Sequence, residues 1–176
     1  MEINKACSNI TLIIGENSSG KSLFAENLTV ELSPKSNASR IYLATMVPQT
    51  KENDLRIEKH RIQRQNKGFV TIEKDWNIDR IEVSKDSVVL LEDISNLLAN
   101  GIFIHHQTVS DAFAQITALA AKCRHLIAVN IAGLCADGYD EETASYINGI
   151  NALNDRIGAV ADTVYRMQDG KAILQK

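Results

Sequence analysis

The sequence predicts an α/β layer fold: a mainly parallel sheet flanked by helices, with a C-terminal β-hairpin at one edge. Three observations predict it. Short apolar runs rich in β-branched residues, at 10–14, 40–44, 88–91 and 126–130, alternate with longer stretches of helical spacing. The first run ends in Gly15-Glu16-Asn17-Ser18-Ser19-Gly20-Lys21-Ser22, the pattern G-x-x-x-x-G-K-[ST] between a strand and a helix. The chain closes with Asp162 to Met167 and Lys171 to Leu174 around Asp169-Gly170, a hairpin whose turn is Asp-Gly.

In order, residues 10–14 read as a strand buried on both faces and 21–32 as a helix. Ser33-Pro34-Lys35-Ser36-Asn37 reads as a loop, and Arg40 to Ala44 as the second strand, with Pro48 in the loop beyond it. Glu52 to Arg64 reads as a helix, its apolar side marked by Leu55 and Ile62. Arg56, His60 and Arg64 recur every four residues on another face, flanked by Lys59 and Arg61. After Gly68, Phe69 to Glu73 alternates like a strand; 75–86 is polar and carries no clear pattern. Val88 to Leu91 is a buried strand ending in Glu92-Asp93. Residues 94–103 and Thr108 to Lys122 read as helices, and Leu126 to Asn130 as a strand. Gly133 and Gly138 mark a loop. Glu141 to Ala161 is a helix striped with Ile150, Leu153, Ile157 and Val160.

At 176 residues the chain is read as one domain, 1–176, with room for a sizeable core. Nineteen basic against 22 acidic residues give a net charge of −3, so no global basic field invites nucleic acid. Cys7, Cys123 and Cys135 are odd in number and lack C-x-x-C spacing, as expected of a reduced cytoplasmic protein. The N-terminus lacks the pattern of a signal peptide, and no apolar run reaches the ~18 residues of a membrane span.

The glycines of the first motif permit a tight path in which backbone N–H groups turn inward and cradle an anion at a helix N-terminus. Lys21 then reaches the β- and γ-phosphates of a nucleotide, and the Ser22 hydroxyl can sit on Mg²⁺. Such a site needs a carboxylate for the metal, and the strand ending in Glu92-Asp93 offers two; otherwise the pair is a solvated strand end, or Asp93 a helix N-cap. A histidine among cations has its charged form disfavoured. His60 is therefore a candidate nucleophile on a face able to hold polyphosphate, although a basic helical face is also often merely solvated. His105, His106 and His125 read as surface or structural, and Trp76 as packed at the core edge. Asn148, Asn151 and Asn154 face either a ligand or solvent.

The order of motifs resembles the bifunctional adenosylcobinamide kinase/adenosylcobinamide-phosphate guanylyltransferase family of cobalamin biosynthesis. The resemblance runs from Gly15–Ser22 through Tyr42-Leu43-Ala44-Thr45, similar to Y-I-A-T, and Arg56-Ile57-Glu58-Lys59-His60-Arg61, similar to R-I-x-x-H-R, with Arg64 after it. Phe69 to Glu73 is similar to W-x-T-x-E. Val89-Leu90-Leu91-Glu92, with Asn100 and Phe103, is similar to V-L-L-[DE] and N-L-L-F, and Asn154 with Ala161-Asp162-Thr163-Val164 to N…A-D-x-V. The resemblance implies phosphorylation of adenosylcobinamide with ATP or GTP, then transfer of GMP from GTP through a guanylylated histidine, which here is His60, with Lys21 as the other catalytic residue. It implies nucleotide contacts at Gly15, Glu16, Asn17, Ser18, Ser19, Gly20, Lys21 and Ser22, at Ala44, Thr45 and Met46, at Arg61, Ile62, Gln63 and Arg64, and at Glu73 and Glu92. Mg²⁺ would be held by Ser22 and Glu92. A corrinoid acceptor and a homotrimer follow by the same transfer.

The sequence departs from the family pattern at Ser18, where the loop usually carries arginine, and at Asn130-Ile131-Ala132-Gly133, where N-E-V-G has lost its carboxylate. It departs again at Ser145, Ile147 and Asn148, where the family carries charged residues, and in a shorter segment from Phe103 to Leu126. A phosphate-loop kinase on another small acceptor, or a catalytically impaired nucleotide-binding regulatory protein, are the alternatives these departures leave.

Overall fold

The computed structural model describes residues 9–33, 39–46 and 51–176. The loop expected at 34–37, Pro48 and Cys7 lie outside them.

Seven strands form one sheet in the order β3-β2-β4-β5-β1-β6-β7. They are β1 (Ile10–Gly15), β2 (Arg40–Ala44), β3 (Phe69–Glu73), β4 (Val88–Glu92), β5 (His125–Ile131), β6 (Thr163–Gln168) and β7 (Lys171–Leu174). All neighbours pair in parallel except β6 and β7, the antiparallel hairpin at one edge. Asp169 and Gly170 both have positive φ, 49° and 72°, the signs that a two-residue type I′ turn needs.

Period-two alternation divides the strands between two cores. Val89, Leu91, Leu126 and Ala128 join Leu12 and Leu43 on one face, beneath α3 (Ile94–Ala99), α4 (Val109–Ala120) and α5 (Glu141–Val160). Leu90, Ile127 and Val129 join Ile13 on the other, with Ala25, Phe24 and Leu28 of α1 (Lys21–Leu32). Strands clothed on both faces read as continuous apolar runs, which is why they are visible in the sequence. Asp140 caps α5 through Thr143 N (2.8 Å), and Thr108 with Asp111 forms a capping box on α4.

Three expectations change. The helix over 52–64, α2 (Lys51–Gln63), does not bury Leu55 and Ile62, which are 73% and 56% exposed. It turns the Arg56/His60/Arg64 side inward instead. Arg64 is 8% exposed, its guanidinium 3.4 Å from the centroid of the Tyr42 ring. The sheet end beneath α2 carries Tyr42 and Glu92, a surface that a cation matches better than leucine does. The helix expected over 94–103 is α3 followed by one π-helical turn, Asn100–Ile104. The Asn100 amide donates to Thr45 O (2.9 Å) and Asp75 O (3.0 Å), anchoring that turn beside the loop after β2. Within the patternless 75–86, a short 3₁₀ turn covers Ile78–Arg80.

Trp76 is buried against the π turn, and a Cβ added at Gly101 would lie 2.5 Å from its ring. His105 stacks on the same ring and pairs with Asp75 at 2.9 Å. His125 Nε2 meets Thr11 Oγ1 at 2.8 Å. Gly101→Ala therefore overpacks the Trp76 site and is expected to cost about 1–3 kcal/mol of unfolding free energy. A lowered urea midpoint at unchanged m-value checks this.

Candidate active site

The phosphate loop leaves β1, an inner strand, at its C-terminal end and runs into α1. Gly15 has no space for a side chain, since a Cβ there would meet Ser19 Oγ at 2.7 Å and Met167 O at 2.9 Å. Gly20 stands at φ 90° and caps α1 with no side-chain hydrogen bond. The first amides of α1 thus carry no side-chain acceptor, which makes that helix end an anion cradle. Lys21 Nζ lies across the loop and donates to Glu16 O at 2.5 Å. Burial holds its pKa below the usual lysine value, against the pull of the Asp93 and Glu92 carboxylates.

The two carboxylates at the end of β4 have separate tasks. Asp93 Oδ1 caps α3, accepting from Asn96 N (2.7 Å), Ser95 Oγ (2.8 Å) and Asn96 Nδ2 (2.9 Å). Glu92 accepts a hydrogen bond from Ser22 Oγ through Oε1, while its Oε2 is buried without a partner. Burial raises the Glu92 pKa to about 7, against the lowering effect of the Ser22 hydrogen bond. A hard divalent cation fits this pair: one hydroxyl oxygen, one carboxylate oxygen already turned to it, and one orphaned oxygen whose desolvation a cation would offset. No cluster of three His, Cys, Asp or Glu side chains suited to a metal occurs among the described residues. Mg²⁺ bound largely through phosphates and water needs no such cluster.

Two clefts meet at α2. The larger, of about 670 Å³, runs from Ser18–Ser22 past Lys59 and Gln63 to an apolar wall of Ile131, Leu134, Tyr146 and Ile150. The smaller, of about 550 Å³, is lined by Tyr42, Ala44, Met46, Arg61, Arg64 and Glu73, among others. Arg56, His60, Glu92, Asp93 and Asn96 line both. His60 is half-buried; burial first, then the Arg64 charge, hold its pKa below the ordinary histidine value, so the ring is neutral near pH 7. Burial raises the Tyr42 phenol pKa well above its usual value, so that hydroxyl stays protonated.

The structure thus gathers Lys21, Ser22, Glu92, His60, Gln63, Arg61, Arg64 and Glu73 around joined clefts. Thr45 is buried and donates through Oγ1 to Asp93 O (2.7 Å), supporting the strand end rather than lining a cleft. Ile62 faces outward and lines neither. Glu16, Asn17, Ser18 and Ser19 also border a separate hollow beside the hairpin. Asn154 bridges Asn130 (2.7 Å) and Ile131 O (2.9 Å), and Asn151 donates to Leu134 O (3.3 Å). Both therefore brace the loop after β5, while Asn148 is exposed.

Sequence reasoning missed Glu26, a fully buried carboxylate on α1 paired with Lys67 at 2.7 Å. A charged residue next to Ala25 and one turn before Thr29, on the inward side of the helix, is the signal that could have found it.

A phosphate loop on an inner strand of a parallel sheet, with a serine-linked carboxylate ending a strand beyond its neighbour, defines a P-loop NTPase-like nucleotide-binding fold. Within that class the chain belongs to the CobU family, cobinamide kinase / cobinamide phosphate guanyltransferase, whose model matches residues 11–174. Among solved structures it is similar to the flagellar accessory protein FlaH from Methanocaldococcus jannaschii, with TM-score 0.52 and 17% identity over 96% of this chain and 78% of that one. It is also similar to the ATPase domain of a helicase, with TM-score 0.52 and 12% identity over 90% of this chain and 69% of that one. At these identities the likeness is one of fold. No curated protein sequence matches it.

The buried Glu92 couples folding to pH. Its pKa is about 7 in the folded chain against 4.5 as the reference value, so between those values the folded chain binds the extra proton. Stability is therefore greatest below about pH 4.5 as far as this group decides it, and falls as pH rises through 7, by on the order of 3 kcal/mol. Glu92→Gln removes that slope. Urea unfolding at pH 5 and pH 8 without added metal should show a smaller loss in the variant than in the native chain; equal losses would contradict the assignment.

Proposed function

We propose that the protein transfers a phosphoryl group from ATP or GTP to adenosylcobinamide and then transfers GMP from GTP to the phosphate so formed, through His60. One observation carries the reading: His60, neutral and half-buried, lies where the cleft from the phosphate loop meets the cleft lined by Arg61, Arg64 and Glu73. Nucleotide phosphates bind to the α1 amides and to Lys21, which exchanges the weak acceptor Glu16 O for a phosphate oxygen. Ser22 and Glu92 hold Mg²⁺, which when bound neutralises charge on the β- and γ-phosphates. The acceptor enters the larger cleft, whose apolar wall suits the hydrocarbon part of a corrinoid and whose basic wall suits its phosphate. His60 reaches the nucleotide α-phosphorus with its lone pair free, because burial among Arg56, Lys59 and Arg64 disfavours protonation. We read residues 1–176 as a single nucleotide-binding domain. The exposed Leu55 and Ile62 on the outer side of α2 support assembly into a homotrimer.

A second reading, a kinase on another small acceptor, draws support from Asn130. That side chain is buried and committed to Asn154, so it offers the larger cleft no charge where the family carries a carboxylate nearby.

The test is incubation with Mg²⁺, GTP and adenosylcobinamide, with mass spectrometry of the corrinoid and of the intact protein. We expect a phosphorylated corrinoid, a corrinoid–GDP product and a GMP–protein adduct. Lys21→Ala should reduce turnover by more than about a hundredfold. His60→Ala should abolish the adduct and the corrinoid–GDP product. Phosphorylated corrinoid without any adduct removes the histidine half of the reading. An unchanged corrinoid beside turnover of a different acceptor favours the second reading.

A further inference from the structure

Beneath α2 lies a group of buried polar atoms without partners: His60 Nδ1, Gln63 Nε2, Arg64 Nη1 and, from α1, Glu26 Oε1. Three come from the last turn of α2 and the residue after it, and the fourth is a carboxylate oxygen, the acceptor of the group. Glu26 is fully buried, and its other oxygen is held by Lys67 Nζ at 2.7 Å. Lys67 also reaches Asn27 Oδ1 at 3.4 Å, so the lysine ties the segment after α2 down onto α1. A buried carboxylate with one oxygen neutralised and one idle is costly unless a donor completes it. His60 is such a donor, and the charge of Glu26 acts on its ring to raise the pKa that burial and Arg64 lower. Of the two ring nitrogens, Nδ1 is the buried one; His60 borders both clefts, which leaves Nε2 as the nitrogen open to them.

We propose that Glu26 is the positioning residue of the histidine step: its free carboxylate oxygen accepts the Nδ1 proton of His60 and so directs the lone pair of Nε2 into the cleft. The proposal rests on the reading of His60 as the nucleotidyl carrier. Nδ1 and Oε1 are not in hydrogen-bond contact in this structure, and catalytic hydrogen bonds commonly close only in the substrate complex. In the first half-reaction the Nε2 lone pair forms a bond to the α-phosphorus of the nucleoside triphosphate. The bond from that phosphorus to the bridging oxygen breaks, and pyrophosphate leaves with the electron pair. The ring then carries a positive charge with its proton still on Nδ1, and Glu26 balances that charge. In the second half-reaction an oxygen of the acceptor phosphate attacks the same phosphorus. The P–N bond breaks, and its electrons return to Nε2. No proton leaves Nδ1 in either half.

The experiment follows GMP–protein adduct formation in single-turnover mixtures of GTP and Mg²⁺ across pH, with the ¹⁵N signals of the His60 ring recorded on the same chain. Glu26→Gln should slow adduct formation at saturating GTP about ten- to a hundredfold, with the GTP concentration for half-maximal rate little changed. It should also shift the acid limb to lower pH, because a carboxylate that raises the His60 pKa is gone. The other charged groups around the ring remain in that variant: Arg56, Lys59 and Arg64 beside it in the chain, Lys67 beside the carboxylate, and Lys21, Glu73, Glu92 and Asp93 across the clefts. Lys67→Met, at a partly exposed position, should shift the limb the other way by removing the competing cation, which keeps the test open if Glu26→Gln fails to fold. The ¹⁵N spectrum of the native chain should show the proton on Nδ1. A native rate and pH profile in Glu26→Gln, or a native chain with its proton on Nε2, overturns the proposal. If the native chain forms no adduct yet shows Nδ1–H, and the variant loses that tautomer, the carrier role of His60 falls while the Glu26 contact stands.

Discussion

Charge held out of water at the C-terminal end of the sheet is the constraint on which the rest of this structure depends. Glu92 and Glu26 are carboxylates inside the protein, and Arg64 and His60 are their cationic or ionisable counterparts at α2. Each is costly in isolation, since an ionised group in a low-dielectric interior loses its hydration. They are tolerated because each has part of its compensation in place: Ser22 on Glu92, Lys67 on Glu26, the Tyr42 ring under Arg64. What is left uncompensated, Glu92 Oε2 and the polar atoms beneath α2, marks where ligands and proton positions matter.

The scaffold that holds these groups is apolar and stiff. Parallel pairing of β1, β2, β4 and β5 brings Gly15, Ala44, Glu92 and Ile131 to one end of the sheet. With both faces of the sheet packed, that end cannot shift without disturbing two cores at once. The hydrogen bonds of Asn100, Asn154 and Thr45 to backbone carbonyls then fix the loops that leave it. The polar network thus hangs from a frame whose stability comes from elsewhere, and this separation lets a site keep unpaired groups.

α2 shows how far a local pattern can mislead. Leu55 and Ile62 look like the buried stripe of an amphipathic helix, and on periodicity alone they are. The helix settles the other way because what lies under it is Tyr42 and Glu92 rather than a second apolar layer. Asp93 is a similar case in reverse. Beside Glu92 it looks an equal candidate for a metal, and only the fold commits it to three bonds at the N-terminus of α3.

By itself the sequence determined the strand–helix order, the closing hairpin and the phosphate loop. These are written in local chemistry: β-branched runs, helical spacing, glycines where the backbone must turn tightly, and an Asp-Gly turn. It also determined the candidates Lys21, Ser22, Glu92 and His60, through motif order. Tertiary structure alone decided which face of α2 turns inward, which carboxylate meets Ser22, and that Glu26 is buried within reach of the His60 charge. The reason is the range of the forces involved. Backbone preferences act over a few residues, whereas desolvation and charge pairing act between groups, such as Glu26 and Lys67 or Ser22 and Glu92, that only the folded sheet brings together.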